Sequence, residues 1–431
     1  MSKKKFVQVG IGGRARMYYQ AIAETYSDTS EIVAFCDINF TRMKYAVNVL
    51  EELNYPAPQL YGADEFEKML DDHKPDYVIV TSIDRTHHRY IIKAMEKGYD
   101  VISEKPMTMD DKKCKEILDA IERTGKNLRV TFNYRYAPHH SKIRELIMNN
   151  TIGKVNQVHF EWNLNTSHGA DYFRRWHRDK RNSGGLLVHK ATHHFDLVNF
   201  WLATKPETVF AFGDLMFYGR ENAEERGETK FYSRTYGSEN AKGDPFAFVM
   251  EGNENLEGIY LKAEHEDGYI RDQSVFGDNI SIEDTMNVLV RYENGAMMSY
   301  SLNAYSPYEG LRVVFTGDKG RIEYEVIEAV YTNGSDDSSK EGVVVGKSII
   351  VYPMFGDAYS VEIEEGIGGH GGGDTRMLDE IFAKEVTPDP LKRAASHIDG
   401  AYSIMTGICA NKSIAAGLPV KVKDVLDISN K

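Results

Sequence analysis

The residues with the most explicit chemistry lie close to the amino terminus. Phe6 to Val9 is a short apolar run, followed at once by Gly10, Gly12 and Ala15 in the order G-x-G-x-x-A, with Gly13 and Arg14 inside the turn. A second run, Glu31 to Cys36, ends at Asp37, 22 positions beyond Ala15. Such a pattern suits a dinucleotide. Gly10 permits a tight turn, Gly12 lets backbone N–H groups approach a pyrophosphate, and Ala15 lets the next helix lie against the strand. The helix N-terminus faces the phosphate charge, and Asp37 can accept hydrogen bonds from a ribose 2′-hydroxyl. A carboxylate there would repel a 2′-phosphate, and Ile38 and Asn39 supply no guanidinium to receive one. The expected cofactor is therefore NAD in preference to NADP, with Arg42 the nearby cation that leaves NADP open. Gly366 to Gly371 spells the same hexamer, but the acidic V-E-I-E-E before it is no buried strand. That segment reads as a flexible loop carrying His370.

These residues need a scaffold, and the pattern up to about residue 135 provides one. Helical patterns over Met17–Thr25, Thr41–Leu53, Glu65–Leu70, Thr86–Lys97 and Asp110–Thr124 alternate with strand-like runs at Tyr77–Thr81, Asp100–Ser103 and Leu128–Phe132. This alternation predicts a Rossmann-type doubly wound parallel sheet, with ligands outside the carboxyl ends of its strands. Thr81, Ser82, Glu104 and Lys105 then join Gly10 and Asp37 at one crevice. From residue 136 to 431 the pattern changes. Alternating runs at Val155–Asn165, Thr208–Phe212, Asn287–Tyr292, Ala296–Asn303, Leu311–Thr316 and Arg321–Glu325 predict an α+β domain with a large, mostly antiparallel open sheet. Helices are expected over Leu186–Trp201, Asp374–Ala383 and Arg393–Gly417. Residues 219–282 read as a long surface excursion, and Asn333 to Gly342 as a second.

Composition narrows the class. At 431 residues, two domains are the default. A net charge of −13 argues against nucleic acid or an anionic membrane as partner. Cys36, Cys114 and Cys409 are too scattered for a disulfide framework or a metal site. No apolar run is long enough to span a membrane and the basic start leads into a strand, so a cytoplasmic protein is expected.

The stretch I-S-E-K-P at residues 102–106, taken with G-I-G-G-R-A, Asp37, the T-S…T-H-H segment and H-x-x-D at His193 to Asp196, resembles the glucose–fructose oxidoreductase and inositol dehydrogenase family. The closing A-N-K-S-I-A-A-G-L-P-V is similar to that family's last helix and strand, so the likeness runs over nearly the whole chain. It implies hydride transfer from a secondary hydroxyl of a sugar, glycoside or cyclic polyol to nicotinamide. Lys105 would polarise the reacting oxygen and His193 would take its proton, tasks that an ammonium and a neutral imidazole can perform. His87 matches a position near the cofactor. Many members carry an aspartate four residues before the catalytic histidine, where this chain has His189 followed by Lys190. On one helix, His189 and His193 would share a face, able to relay a proton or to form half of a metal site with His370 or Asp171. Local spacing fixes no third ligand, so no metal is expected. Lys190 could contact a sugar hydroxyl in place of the missing acid. In the loop before this helix, Tyr172 and Trp176 offer flat faces to a sugar ring, while His168, Asp171, Arg174 and His177 offer hydrogen bonds. The resemblance also admits a redox-neutral, NAD-dependent glycoside-cleaving enzyme and a non-catalytic sugar- or NAD-sensing regulator. It implies a homodimer or homotetramer.

Overall fold

The structure, a computed structural model, describes residues 3–328, 342–385 and 388–429. Most of the predicted excursion at Asn333 to Gly342 thus lies outside the described residues. The amino-terminal strands are β1 (Lys4–Val9), β2 (Ser30–Asp37), β3 (Gln59–Gly62), β4 (Tyr77–Val80), β5 (Asp100–Ser103) and β6 (Leu128–Val130). The second group is β7 (Val155–Asn165), β8 (Pro206–Asp214), β9 (Thr285–Tyr292), β10 (Met297–Ser306), β11 (Glu309–Gly317), β12 (Gly320–Glu328), β13 (Val344–Pro353) and β14 (Tyr359–Ser360). Two short strands follow, β15 (Ala395–Ser396) and β16 (Val420–Lys421).

The first sheet runs β15-β6-β5-β4-β1-β2-β3 and is parallel but for β15, the doubly wound order expected from the sequence. Its strand interiors, such as Val7, Val9, Ala34, Val78, Val80 and Val101, are buried, as covering of both faces requires. The second sheet runs β14-β13-β12-β11-β7-β10-β9-β8-β16, with β7 and β10 the parallel pair in an otherwise antiparallel order. Along β9 and β10 every second residue is buried, so one face packs on helices and the other stays open.

The two halves share structure. β15 closes the edge of the first sheet, and the helix His397–Ala416 behind it packs against β8 and the helix Thr192–Leu202. Gly407 allows that close approach, since a Cβ there would sit 2.1 Å from the Leu187 carbonyl. The helix expected over Arg393–Gly417 therefore begins only at His397, capped by Ser396.

A second correction bears on the site. The helix expected over Leu186–Trp201 is two helices, Leu186–His189 and Thr192–Leu202, broken at Lys190 and Ala191. A third concerns residues 219–282, which do more than run over the surface. Their short helices cross to the nucleotide-binding half, where Met250, Leu256, Ile259 and Tyr260 form a small core against Tyr45. Glu266 accepts hydrogen bonds from the Phe40 and Thr41 amides at the start of the helix Phe40–Glu52, and the Asn39 side chain donates to the Ala263 carbonyl at 2.8 Å. Among the described residues no helix is long and apolar enough to cross a membrane.

Candidate active site

A cleft of about 870 Å³ opens at the carboxyl ends of β1, β2, β4 and β5, between the two halves. Gly10 turns there with φ +85°, and a Cβ on it would lie 2.3 Å from the Ser82 backbone. Only glycine fits this turn. The space beside Gly12 is open, with nothing within 4 Å of a Cβ built on it. Thr81 fastens the turn by donating to the Gly10 carbonyl at 2.6 Å, and Ala15 is buried beneath it. Asp37 accepts from the Ile11 amide at 2.5 Å and the Asn39 amide at 2.9 Å, which aims its carboxylate along the rim of the cleft. This open, glycine-lined turn with a carboxylate beside it fits a dinucleotide. Arg42 is not free to receive a 2′-phosphate. It pairs with Asp37 at 3.5 Å and with Asp267 at 3.0 Å, and donates to the Ile259 carbonyl at 3.1 Å.

On the next strand end, Glu104 takes Arg14 Nε at 2.8 Å, the Tyr18 hydroxyl at 2.8 Å and the Lys105 amide at 3.0 Å. Burial works against its charge, but Arg14 and Lys105 outweigh burial and hold the carboxyl below its usual range. Lys105 is thus not spent on its neighbour. Its Nζ reaches the His189 carbonyl at 3.3 Å, across the cleft. Withdrawal from water pulls the Lys105 ammonium down to about 8, with Glu104 opposing the fall and Lys190 adding to it. His87 lies beneath, its ring nitrogens 2.9 Å from the Pro106 carbonyl and 2.8 Å from that of Ser82, where it joins two strand-end loops.

The second half supplies the facing wall. His193 is buried, stacks on Tyr134 at 4.5 Å, and leaves its buried Nδ1 without a hydrogen-bond partner among the described residues. Burial first, then the Lys105 and Lys190 charges, push its imidazole well below the ordinary value, so the ring is neutral at pH 7. The broken helix sends His189 elsewhere. Its Nδ1 meets Asp84 Oδ2 at 2.6 Å and its ring packs on His177 at 4.1 Å, while His193 faces Tyr134 and His370. The two rings lie on different neighbours instead of one helix face, which removes the geometric basis for a direct relay between them. Among the described residues no group of three histidine, cysteine or acidic side chains is arranged to hold a metal ion.

The loop before this helix divides its residues. His168, Tyr172, Trp176 and His177 line the cleft. His168 bridges Glu309 at 2.6 Å and the Tyr172 hydroxyl at 3.0 Å, and Trp176 stacks on His177 at 3.6 Å. Arg174 points away, donating to the Phe246 carbonyl at 2.9 and 3.1 Å, and Arg175 takes its place in the lining. Asp171 is likewise spent, paired with Arg271 at 2.7 Å and Arg175 at 3.4 Å. Lining residues not anticipated include Asp84, Arg175, Tyr260, Tyr269 and, outside any metal role, His370. Asp84 stands three residues past Thr81 at a strand end, so position alone could have flagged it.

Comparison with known proteins agrees with the two-part fold. A family model described as "Oxidoreductase family, NAD-binding Rossmann fold" matches residues 4–132, and its companion, "Oxidoreductase family, C-terminal alpha/beta domain", matches residues 144–422. YteT of Bacillus subtilis (strain 168), which carries an oxidoreductase name, is 35% identical over 447 residues, spanning 99% of this chain and 100% of YteT. The D-glucoside 3-dehydrogenase of Escherichia coli (strain K12) is 31% identical over 147 residues, 34% of this chain and 40% of that enzyme. In fold, the chain is similar to the aldose-aldose oxidoreductase from Caulobacter crescentus complexed with glycerol, with a TM-score of 0.63 and 15% identity over 97% of this chain and 100% of that one.

Proposed function

The chain belongs to the GFO/IDH/MocA oxidoreductase family, and we propose that it is an NAD-dependent dehydrogenase acting on a secondary hydroxyl of a sugar, glycoside or cyclic polyol. One observation carries this. Lys105 and His193, 88 positions apart in the sequence, line a single cleft together with the glycine turn and Asp37. Gly10, Gly12, Gly13, Arg14 and Asp37 would hold the cofactor, which when bound supplies an acceptor for the carbinol hydride. Lys105 donates to the reacting oxygen and stabilises negative charge on it. His193, neutral and lining the cleft, takes the hydroxyl proton. Trp176 and Tyr172 present flat faces against which a sugar ring can lie. The carboxylate of Asp37, and the engagement of Arg42 by Asp267, favour NAD over NADP.

A second reading has support in residues 219–282. They clasp the segment 39–42 beside Asp37 and would slow cofactor exchange, as suits a redox-neutral glycoside-cleaving enzyme that keeps its NAD. A single experiment separates the two. Purified protein is incubated with NAD or NADP and a panel of sugars, aryl glycosides and polyols, while NADH and released aglycone are both followed. The first reading expects NADH formation with NAD favoured. Aglycone release without net NADH selects the second, and inertness toward the whole panel overturns both.

Lys105 also sets a pH dependence. The donor is the ammonium, so kcat/KM is expected to fall as pH rises through about 8. The Glu104 carboxylate raises the Lys105 value, so Glu104→Gln is expected to move that alkaline limb to lower pH. A limb that stays in place in this variant assigns the titration to another group.

A further inference from the structure

The charges of the cleft do not balance among themselves. Four carboxylates in or behind its catalytic end are already engaged: Glu104 by Arg14 and Tyr18, Asp84 by His189, Glu309 by His168, and Asp374 by Arg14 at 3.2 Å, Asn133 at 2.6 Å and His370 at 2.8 Å. Two of the lining arginines are engaged too, Arg175 by Asp171 and Arg42 by Asp37 and Asp267. Two ammonium groups remain. Neither Lys105 nor Lys190 has a carboxylate within 4 Å among the described residues, and Lys190 is only 4% exposed. Lys190 rests over the Trp162 ring at 4.7 Å and the Tyr134 ring at 5.6 Å, aromatic faces that hold a cation while no anion is present. A buried charge without a partner is costly, and binding sites are where such a cost is recovered.

Lys105 serves the reacting oxygen, which leaves Lys190 for a second, anionic group. Its place is defined by Tyr134, whose ring lies under Lys190 and also stacks on His193. An anion at Lys190 therefore belongs to the same small ring whose hydroxyl faces His193. We propose that the substrate is a sugar acid, a pyranose uronate whose ring carboxylate binds Lys190; this rests on the dehydrogenase reading of the same cleft. The chemistry is self-consistent. The Lys190 charge is among the causes that depress His193, so a carboxylate bound to it makes His193 a better proton acceptor. A neutral sugar brings no such relief.

The test uses matched pairs, methyl glucuronide with methyl glucoside and methyl galacturonide with methyl galactoside. NADH formation gives turnover, and calorimetric titration of glucuronate or galacturonate into the NADH-saturated protein gives binding. In at least one pair the acid is expected to have a kcat/KM on the order of tenfold to a hundredfold above its neutral partner. Lys190→Met should bring that ratio toward one, and Lys190→Arg should keep it. The ratio within each variant cancels any general loss of activity. Equal kcat/KM for acid and neutral sugars, or a preference that survives Lys190→Met, overturns the proposal and leaves the dehydrogenase reading standing. Uronate binding that is lost in Lys190→Met, without turnover of any sugar, supports the anion site and removes the dehydrogenase reading. Absence of both binding and turnover overturns both.

Discussion

Lys105→Met is expected to lower kcat on the order of 10²- to 10³-fold while NADH binding changes less than about tenfold. The side chain is held where it can act. Glu104 is tied to Arg14 and Tyr18, so its charge stays near Lys105 without capturing it, and the free Nζ reaches the His189 carbonyl opposite. That carbonyl contact is long, at 3.3 Å, and a substrate oxygen in the cleft can replace it. Methionine keeps the length and apolar stem but cannot donate, so the loss measures the donor and not the packing. The expected loss corresponds to about 3–4 kcal/mol of stabilisation of the developing alkoxide. Single-turnover NADH formation at saturating substrate, with NADH affinity measured by fluorescence, checks both parts. Undiminished kcat would take Lys105 out of the chemistry, and a collapse of NADH binding alone would make it a cofactor residue.

The nucleotide half was legible because its signals are local. A turn that only glycine can make, an apolar strand before it and an acid at the next strand end are all written within about 40 residues. The strand β7 was likewise legible to its ends, since its pattern stands between turn residues. The short strand β3 was not, because four residues after Pro56 and Pro58 carry no period. In β13, Gly346 and Lys347 interrupt the apolar pattern in the same way. The site itself depended on tertiary geometry. Residues 186–202 read as one helix, whereas the structure breaks it at Lys190 and Ala191, where Leu187 packs on the long helix at Gly407, some 220 residues away. A loop sequence also cannot say which of Arg174 and Arg175 turns inward, since that is set by the Phe246 carbonyl. The excursion was illegible for a related reason. Its apolar residues cover Tyr45 of the other half and not a core of their own period.

Asp196, the acid of the H-x-x-D motif, is expected to matter for folding more than for substrate, with Asp196→Ala costing about 3–5 kcal/mol of stability. Its carboxylate is 1% exposed and takes Arg135 through two hydrogen bonds, at 2.7 and 2.5 Å. Arg135, itself 2% exposed, also reaches Asp399 at 3.0 Å and lies over the Phe200 ring at 4.8 Å. One guanidinium thereby joins the turn after β6, the helix bearing His193 and the first turn of the helix His397–Ala416. Truncating Asp196 leaves that cation buried with one partner whose side chain is 37% exposed, and the lost compensation is the cost. Removing both charges together, as Arg135→Met with Asp196→Leu, leaves no stranded charge and is expected to recover part of the loss. Urea unfolding followed by near-ultraviolet circular dichroism measures each variant. A wild-type midpoint for Asp196→Ala would show that the pair is not a structural tie. A double variant no more stable than Asp196→Ala would place the cost in packing and not in the uncompensated charge.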